Sequence, residues 1–285
     1  MPTTLQDKIV VITGSTRGFG FALAEQLLKA GATVVISGRS QLTLDQAVNS
    51  LKASGPVSGA LCDVSIAEQV YTLAKTVVRE HGRIDIWINN AGYSSAAGLI
   101  LDFDPREALD MFMVNDLGVL HGTLAALNYM LPHKEGLLVN IYGAGAFLRP
   151  SSPTGLYAAT KAWLSSFTRT LATEIKGSGV KLVGFSPGMM LTDMLTSPTV
   201  IGEAGRDMMK NYGFVLRFLA GSPRQAAKKL VKVITLNRKE FIEYRMLKPW
   251  TPFLGLLRVL WENLTKTGKT PGFELKFKEG YKIPD

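Results

Sequence analysis

The chain has 285 residues, of which 46% are hydrophobic and 28 are glycine, with a single cysteine, Cys62. This length and composition suit one large or two small globular domains with a real core, and one cysteine excludes an intrachain disulfide, so a reducing, cytoplasmic compartment is expected. The net charge of +9 is uneven: residues 222–285 hold 14 Lys and Arg against 6 Asp and Glu, whereas residues 1–221 hold 18 against 17.

Residues 8–13 (KIVVIT) are a continuous apolar run, the pattern of a strand buried on both faces of a parallel sheet. No secretory or transit segment is expected before it. Thr13-Gly14-Ser15-Thr16-Arg17-Gly18-Phe19-Gly20 follows, and then a helical pattern over 21–29. Strand, glycine turn and helix form the context of a dinucleotide site. Gly14 suits the tight turn, Gly18 lets backbone approach a diphosphate, and Gly20 lets the helix pack closely. The helix N-terminus offers its N–H groups to the anion. Residues 33–38 (TVVISG) read as the second strand. Where an NAD-binding fold carries a carboxylate for the ribose 2′-hydroxyl, this chain has Ser37-Gly38-Arg39. Arg39 can pair with a 2′-phosphate, and Arg17 could add a second cation, which favours NADP(H); otherwise Arg39 is simply a loop cation.

A helix is expected over 41–54 and a third strand over 57–62, with Cys62 buried and inert at its end. Asp63 and Val64 then face the ligand crevice, where Asp63 either accepts from an adenine amine or caps the next helix, over 66–81. Residues 84–89 (IDIWIN) are the fourth strand. The small residues Ala91 and Gly92 after it let backbone lie against a flat cofactor, and Asn89 either joins that surface or ties neighbouring strand ends. A long helix over 105–131 carries Asn115 among apolar neighbours, as a satisfied core amide or as a water holder near a site. Residues 137–142 are the fifth strand, and a loop with Ser151 and Ser152 leads to Gly155-Leu156-Tyr157-Ala158-Ala159-Thr160-Lys161. On a helix Tyr157 and Lys161, four apart, share one face. A free phenol has a pKa near ~10, a nearby ammonium lowers it, and moving it to ~7 takes roughly 4 kcal/mol. Such a pair also occurs on solvated helices. Residues 180–186 are the sixth strand, closed by Pro187-Gly188, with the Thr192 hydroxyl near enough in sequence to meet a carboxamide or phosphate. Residues 240–247 suggest a weaker seventh strand. The alternation predicts an α/β doubly wound parallel sheet, a Rossmann fold in one domain, with a core over 1–193 and a substrate lid and extension over 194–285.

Thr13-Gly14-x3-Gly18-x-Gly20, Asn89-Asn90-Ala91-Gly92, Asn115, Tyr157-x3-Lys161 and Ser186-Pro187-Gly188 stand in the order and spacing of the short-chain dehydrogenases/reductases, which the chain resembles over residues 5 to about 195. The resemblance implies that Tyr157 protonates a carbonyl oxygen as hydride arrives from the nicotinamide. It implies that Lys161 binds the nicotinamide ribose and lowers the tyrosine pKa, and that Asn115 holds a relay water. It further implies cofactor contacts from Gly14, Arg17, Phe19, Arg39, Asp63, Val64, Asn89 and Thr192. One position departs: the family's substrate-binding serine after the fifth strand is replaced by Tyr142 and Gly143. Loss of one oxyanion donor can cost roughly 3 kcal/mol, so Tyr142, Ser151 or Ser152 substitutes, or the substrate is held differently, or activity is weak. The segments 140–145 and 186–193 and the stretch 244–261 resemble the chlorophyll b reductase branch, which also lacks that serine and reduces a formyl group on a porphyrin-type ring.

Residues 194–220 contain Met194, Met208, Met209, Tyr212 and Phe214, which with Met189 and Met190 suit a lid over a bulky apolar substrate or pack a core. In 249–264, Trp250, Phe253, Leu254, Leu256, Leu257, Leu260 and Trp261 lie beside Lys248, Arg258 and Lys266. This pattern fits a helix on a membrane surface or a subunit interface in a homo-oligomer. No nucleic-acid partner is expected, because no reader motif accompanies the basic tail, and no metal site is expected. The expected activity is NADPH-dependent reduction of a carbonyl on a large hydrophobic substrate, including a chlorophyll b-type formyl group. The alternatives are a dehydrogenase of small lipophilic ketones and alcohols, and a catalytically silent cofactor-binding scaffold or sensor.

Overall fold

A computed structural model describes residues 4–148, 150–248, 251–265, 267 and 271–283. Six strands alternate with helices as the apolar runs require: β1 (Ile9–Ile12), α1 (Gly18–Lys29), β2 (Thr33–Gly38), α2 (Gln41–Leu51), β3 (Val57–Leu61), α3 (Ala67–His81), β4 (Ile86–Asn89), α4 (Pro105–Phe112), α5 (Gly118–His133), β5 (Gly136–Ile141), α6 (Gly155–Glu174) and β6 (Val180–Ser186). The remainder is α7 (Asp193–Thr196), β7 (Thr199–Ile201), α8 (Gly202–Met208), α9 (Tyr212–Leu219), α10 (Pro223–Leu236), β8 (Phe241–Arg245), α11 (Thr251–Leu264) and β9 (Lys276–Lys278). The main sheet has seven parallel strands in the order β3-β2-β1-β4-β5-β6-β8. The chain therefore winds outward in both directions from β1 and β4, and a ligand crevice opens where their carboxyl ends diverge.

Strand β1 shows why the run has to be apolar throughout. Val10 and Ile12 pack with Leu23 and Leu27 of α1 and Leu230 of α10, while Ile9 and Val11 pack with Val70, Leu73 and Val77 of α3. Successive side chains leave opposite faces of a strand, and here both faces are covered. The regions 1–193 and 194–285 interleave, since α10 packs on α1 and β8 extends the main sheet beside β6.

Two elements differ from the sequence pattern. Helix α1 begins at Gly18, so the later glycines of the turn belong to its first turn. The long helix over 105–131 is interrupted by a π-turn, Met113–Leu117, between α4 and α5. Neither glycine nor proline marks it, and Asn115 and Asp116 within it are both buried.

Strand β7 forms a small parallel sheet with β9, and Ala97 donates to Thr199 at 2.8 Å, so this lid covers the loop after β4. Helix α11 lies on α9 through Gly255, where a Cβ would stand 2.6 Å from the Phe218 carbonyl, and through an Arg217–Glu262 ion pair at 3.0 Å. Phe253, Leu256, Leu257, Leu260, Trp261 and Leu264 form an exposed stripe on its outer side. This is the face on which either expected occupant, a bilayer surface or a second subunit, would sit; Pro249, Trp250 and Lys266 lie outside the described residues. Among the described residues no helix is long and apolar enough to cross a membrane.

At the amino ends of the central strands, Asp85 ties β1 to the start of β4. Its carboxylate accepts from Ile9 N at 2.8 Å, Lys8 Nζ at 2.8 Å and Arg83 Nε at 2.9 Å. Burial alone would raise the Asp85 carboxyl, but these three donors together hold it below the ordinary carboxylate range. A depressed carboxyl stabilises the fold above its unfolded-state pKa and loses that contribution as pH falls through its folded pKa. Asp85→Asn should cost about 2 kcal/mol near pH 7. In melting curves taken at successively lower pH, the gap to the wild type should close through and below the ordinary carboxylate range; a gap that does not change with pH would refute the assignment.

Candidate active site

The crevice is built around a knot between the ends of β1 and β4. Thr13 Oγ1 accepts from Asn90 N and Ala91 N, each at 3.0 Å, and the Asn90 amide donates to the Thr13 and Gly14 carbonyls at 2.9 and 2.8 Å. Gly14 has φ +59°, and a Cβ there would lie 2.7 Å from Ala91 Cα, so the turn requires glycine on both counts. Gly20 is equally confined, its Cβ position falling 2.5 Å from Asn90 Nδ2. Gly18 faces open space except for Thr192, whose methyl is 3.6 Å from the Gly18 Cβ position. No side chain caps the N-terminus of α1, so its first N–H groups are open to an anion. These features fit the diphosphate of a dinucleotide. A cavity of about 270 Å3 between the turn and α2 is lined by Thr16, Arg17, Thr43 and Gln46 among others.

The expected cofactor residues sort into distinct groups. Gly14, Gly18, Gly20, Ala91 and Thr192 surround the turn. Arg39 Nη1 lies 3.7 Å from Asp63 Oδ2 at the ends of β2 and β3, and Arg17 pairs with Asp193 at 3.0 Å, so both expected phosphate cations have carboxylate partners, a half-buried one in Asp63 and an exposed one in Asp193. Asp63 also accepts from Ser65 N and Oγ at 3.0 and 2.7 Å, and Val64 is buried with its carbonyl bonded to His121 Nδ1 at 2.9 Å. The Phe19 side chain is not at the cofactor surface: it is buried and stacks on Phe185 with centroids 6.3 Å apart, leaving its backbone to face the turn. Of the two roles left open for Asn89, the observed one is the strand tie, with bonds to Trp87 Nε1 at 2.8 Å and Asn140 Oδ1 at 2.9 Å. The anchor of the glycine turn is Asn90, a residue the motif contained but whose role its spacing alone did not reveal.

Helix α6 brings Tyr157 and Lys161 together, with the Lys161 ammonium 5.7 Å from the Tyr157 ring centroid. Thr160 between them donates to the Tyr157 carbonyl at 2.7 Å and accepts from Asn115 Nδ2 at 3.1 Å. Asn115 is fully buried, and its amide also bonds Tyr93 N and the Tyr93 carbonyl, each at 2.9 Å. The side chain is thus a satisfied core amide that locks the π-turn to α6 and to the loop after β4. A Cβ on Gly92 would approach Asn115 Oδ1 at 3.0 Å and Lys161 Nζ at 3.4 Å, so a side chain here would crowd both groups.

The electrostatics differ from the expectation for Tyr157. Burial pushes its hydroxyl up to about 12 rather than down. The residue packs against Ala96, Phe103, Met111 and Ile201, and in this dry setting the phenolate is disfavoured. Burial likewise lowers Lys161 to about 8, opposed by the charge of Asp116. Tyr157 is therefore in its proton-donating form at neutral pH and Lys161 is mostly an ammonium. Cys62 is buried with its thiol pushed up to about 12 by burial and by Asp63.

The expected substitutes for the missing serine point elsewhere. Tyr142 is buried and crosses Gly184 of β6 to donate to Glu243 Oε1 at 3.0 Å, a carboxylate also held by Arg169. It is a support of the sheet and is not available to a substrate. Ser151 Oγ bonds Thr154 Oγ1 at 3.0 Å, and Ser152 Oγ donates to Met208 Sδ at 3.4 Å. Gly143 is the residue that faces Tyr157: a Cβ there would stand 2.4 Å from the Tyr157 hydroxyl. Pro187 and Met189 line a second cavity of about 270 Å3 with Phe218, Met246, Leu247 and Arg258; Tyr157 is not among its lining residues. Met190 turns the other way and packs against the main core.

The family model for the short chain dehydrogenase matches residues 8–199. The chain belongs to the short-chain dehydrogenase/reductase family. An uncharacterized oxidoreductase of Staphylococcus epidermidis is 34% identical over 199 residues, covering 70% of this chain and 84% of that protein. The chloroplastic chlorophyll(ide) b reductase NOL of Arabidopsis thaliana is 37% identical over 202 residues, which span 68% of this chain and 58% of the plant enzyme. Among solved structures, a metagenomic short-chain oxidoreductase in complex with NADP superposes with a TM-score of 0.68 at 25% identity, covering 86% of this chain and 99% of that one. A short-chain dehydrogenase from Streptomyces avermitilis gives 0.73 at 27% identity, covering 91% and 95%. The protein is an oxidoreductase of this family, whose structural neighbours include both NADP and NAD+ complexes.

The fit of Gly143 against Tyr157 yields a test of the site. Gly143→Ser, which restores the family's usual residue type, should lower kcat by about a hundredfold, because the added side chain displaces the tyrosine hydroxyl. Cofactor affinity, read by fluorescence titration, should stay within about twofold, since a displacement confined to the hydroxyl would change binding free energy by less than ~0.5 kcal/mol. A gain in activity would show that the site tolerates a second hydroxyl there.

Proposed function

We propose that the protein is an NADPH-dependent carbonyl reductase of a bulky hydrophobic aldehyde or ketone, with a formyl group on a chlorophyll b-type ring as the foremost candidate. The observation that carries this reading is the placement of Tyr157 on α6, packed against an apolar wall and beside the Lys161 ammonium. A phenol kept in its acid form suits protonation of a carbonyl oxygen better than abstraction of an alcohol proton at neutral pH. The nicotinamide, when bound, supplies the hydride. Tyr157 donates the proton to the carbonyl oxygen, and Lys161 places a positive charge where negative charge develops. Asn115 and Thr160 fix the relative position of α6 and the π-turn. With Gly143 opposite, Tyr157 is the main polarising group for the carbonyl.

Substrate size and cofactor choice rest on further features. The cavity of about 270 Å3 beside Pro187 and Met189 is walled largely by apolar side chains but is not lined by Tyr157, so substrate size rests on the relatives and not on that cavity. The relatives named chlorophyll(ide) b reductase make a tetrapyrrole formyl group the specific candidate. For the cofactor, Arg39 at the end of β2 stands where a carboxylate would repel a 2′-phosphate, and a bound phosphate would compete with Asp63 for it.

Tyr157→Phe should lower turnover by about a thousandfold while cofactor binding persists; full activity in that variant would sink the mechanism. Arg39→Ala should weaken NADPH binding by about tenfold and leave NADH unchanged, the loss expected of one charge-assisted contact. Tighter binding of NADH than of NADPH by the wild type would refute the cofactor assignment. The substrate assignment is tested with NADPH and aldehydes of increasing size, up to formyl-bearing tetrapyrroles. Silence throughout would favour the scaffold reading, to which the absence of a serine at Gly143 lends some support.

A further inference from the structure

Asp116 has no role in the chemistry described so far, yet it is 4% exposed, and both of its carboxylate oxygens are buried without a hydrogen-bond partner. A buried carboxylate in that state is costly, and one placed only to fill space would be replaced at a gain by an amide or an apolar side chain. It lies on the π-turn next to Asn115, in the segment that the Asn115–Thr160 bond clamps to the Tyr157–Lys161 helix. Lys161 is also buried, and its ammonium donates to the Ile141 carbonyl at the long distance of 3.4 Å. The Asn115–Thr160 bond sets the residue before Asp116 against the residue before Lys161, the loop after β4 reaches the same turn through Tyr93 N and Asn115 Oδ1, and His121 of α5 is engaged by the Val64 carbonyl. The acidic groups Asp110 and Glu107 of α4 act on Tyr93. Lys161 is the charge that acts on Asp116, and Asp116 the charge that acts on Lys161.

We propose that Asp116 is a positioning residue for the reaction: its buried carboxylate is the counter-charge that keeps Lys161 an ammonium in a site too dry to hold one unaided. No ion pair joins the two, so the effect acts across a gap in a medium of low dielectric, where a charge is felt beyond contact distance. Burial raises the Asp116 carboxyl to about 7. As pH rises through that value the carboxylate forms, and its charge then retains the Lys161 proton until pH passes about 8. The two groups titrate as a pair, and the window in which both are charged is the window of the active state. The kinetic consequence rests on the reductase reading above; the titration itself does not.

The test follows the Lys161 proton directly in the full chain. With lysine labelled at Cε, and Lys161→Arg to assign the resonance, the Lys161 midpoint is measured by NMR in the wild type and in Asp116→Asn. The midpoint should fall by about one pH unit in the variant, as for loss of an opposite charge nearby. The alkaline limb of the kcat/KM profile should move down with it. Asp116→Asn should melt no lower than the wild type above about pH 7, because an unpaired buried charge has been removed. Asp116→Glu, which keeps the charge, should restore the midpoint. An unchanged Lys161 midpoint in folded Asp116→Asn would overturn the proposal, whether or not a substrate has been found. So would failure of both Asp116→Asn and the smaller neutral variant Asp116→Ser to fold, which would assign the residue to structure.

Discussion

The carboxyl ends of β1 and β4 approach so closely that no side chain fits between Gly14 and Ala91, and everything at the site is referred to that contact. The sheet must open there for a ligand to enter, yet the two strand ends cannot drift apart without losing the bonds between Thr13 and Asn90. Because α1 starts immediately after the turn, its N-terminus is aimed by the same knot. On the other side the chain leaves through Gly92 and Tyr93, and the bonds from Tyr93 to Asn115 carry the reference onward to the π-turn and α6. A small set of hydrogen bonds thus sets the anion-binding end and the proton-donating end of one crevice relative to each other. This is preorganisation in the sense that matters for catalysis, since the donor need not be reoriented as charge develops.

Dryness is the second organising condition. Tyr157, Lys161 and Asp116 are all pushed by burial toward their uncharged forms, two upward and one downward. A site with that character holds a proton firmly on the phenol while it holds a cation only with help. The walls responsible come from the lid as well as the core, with Ile201 among the residues packed about Tyr157. The β7–β9 sheet thus contributes to the dryness around Tyr157.

The strands were legible because each is buried on both faces, which forces unbroken apolar runs; their ends lie within a residue or two of the pattern, and even the short β8 was visible. The Tyr157–Lys161 pair and the glycine turn were legible through their spacing. What sequence did not reveal lies in contacts between distant segments. Tyr142 follows β5 where a substrate-binding serine was expected, but its hydroxyl meets Glu243, 101 residues away, and nothing near Tyr142 announces that partner. The cation four residues from Tyr157 is local information, whereas the burial of its ring by Phe103, Met111 and Ile201 is not. The π-turn escaped notice for the same reason: nothing in 113–117 breaks a helix, and the bonds that favour the wider turn come from Tyr93 and Thr160. The one local sign was an aspartate in an otherwise apolar stretch.

The small sheet of β7 and β9 has a bearing on how the molecule is made. Strands β1 to β6 can pair as they emerge during synthesis, because each neighbour is already present or soon follows. The lid cannot be completed in that order. Strand β7 waits for residues 276–278, and the loop before α4 waits for Tyr281, whose N–H bonds the Asp102 carbonyl at 2.8 Å. Contacts of such long sequence separation close last, after the loop between them has been ordered. The wall around Tyr157, which includes Ile201 of β7, is therefore expected to close after the strands that frame the crevice.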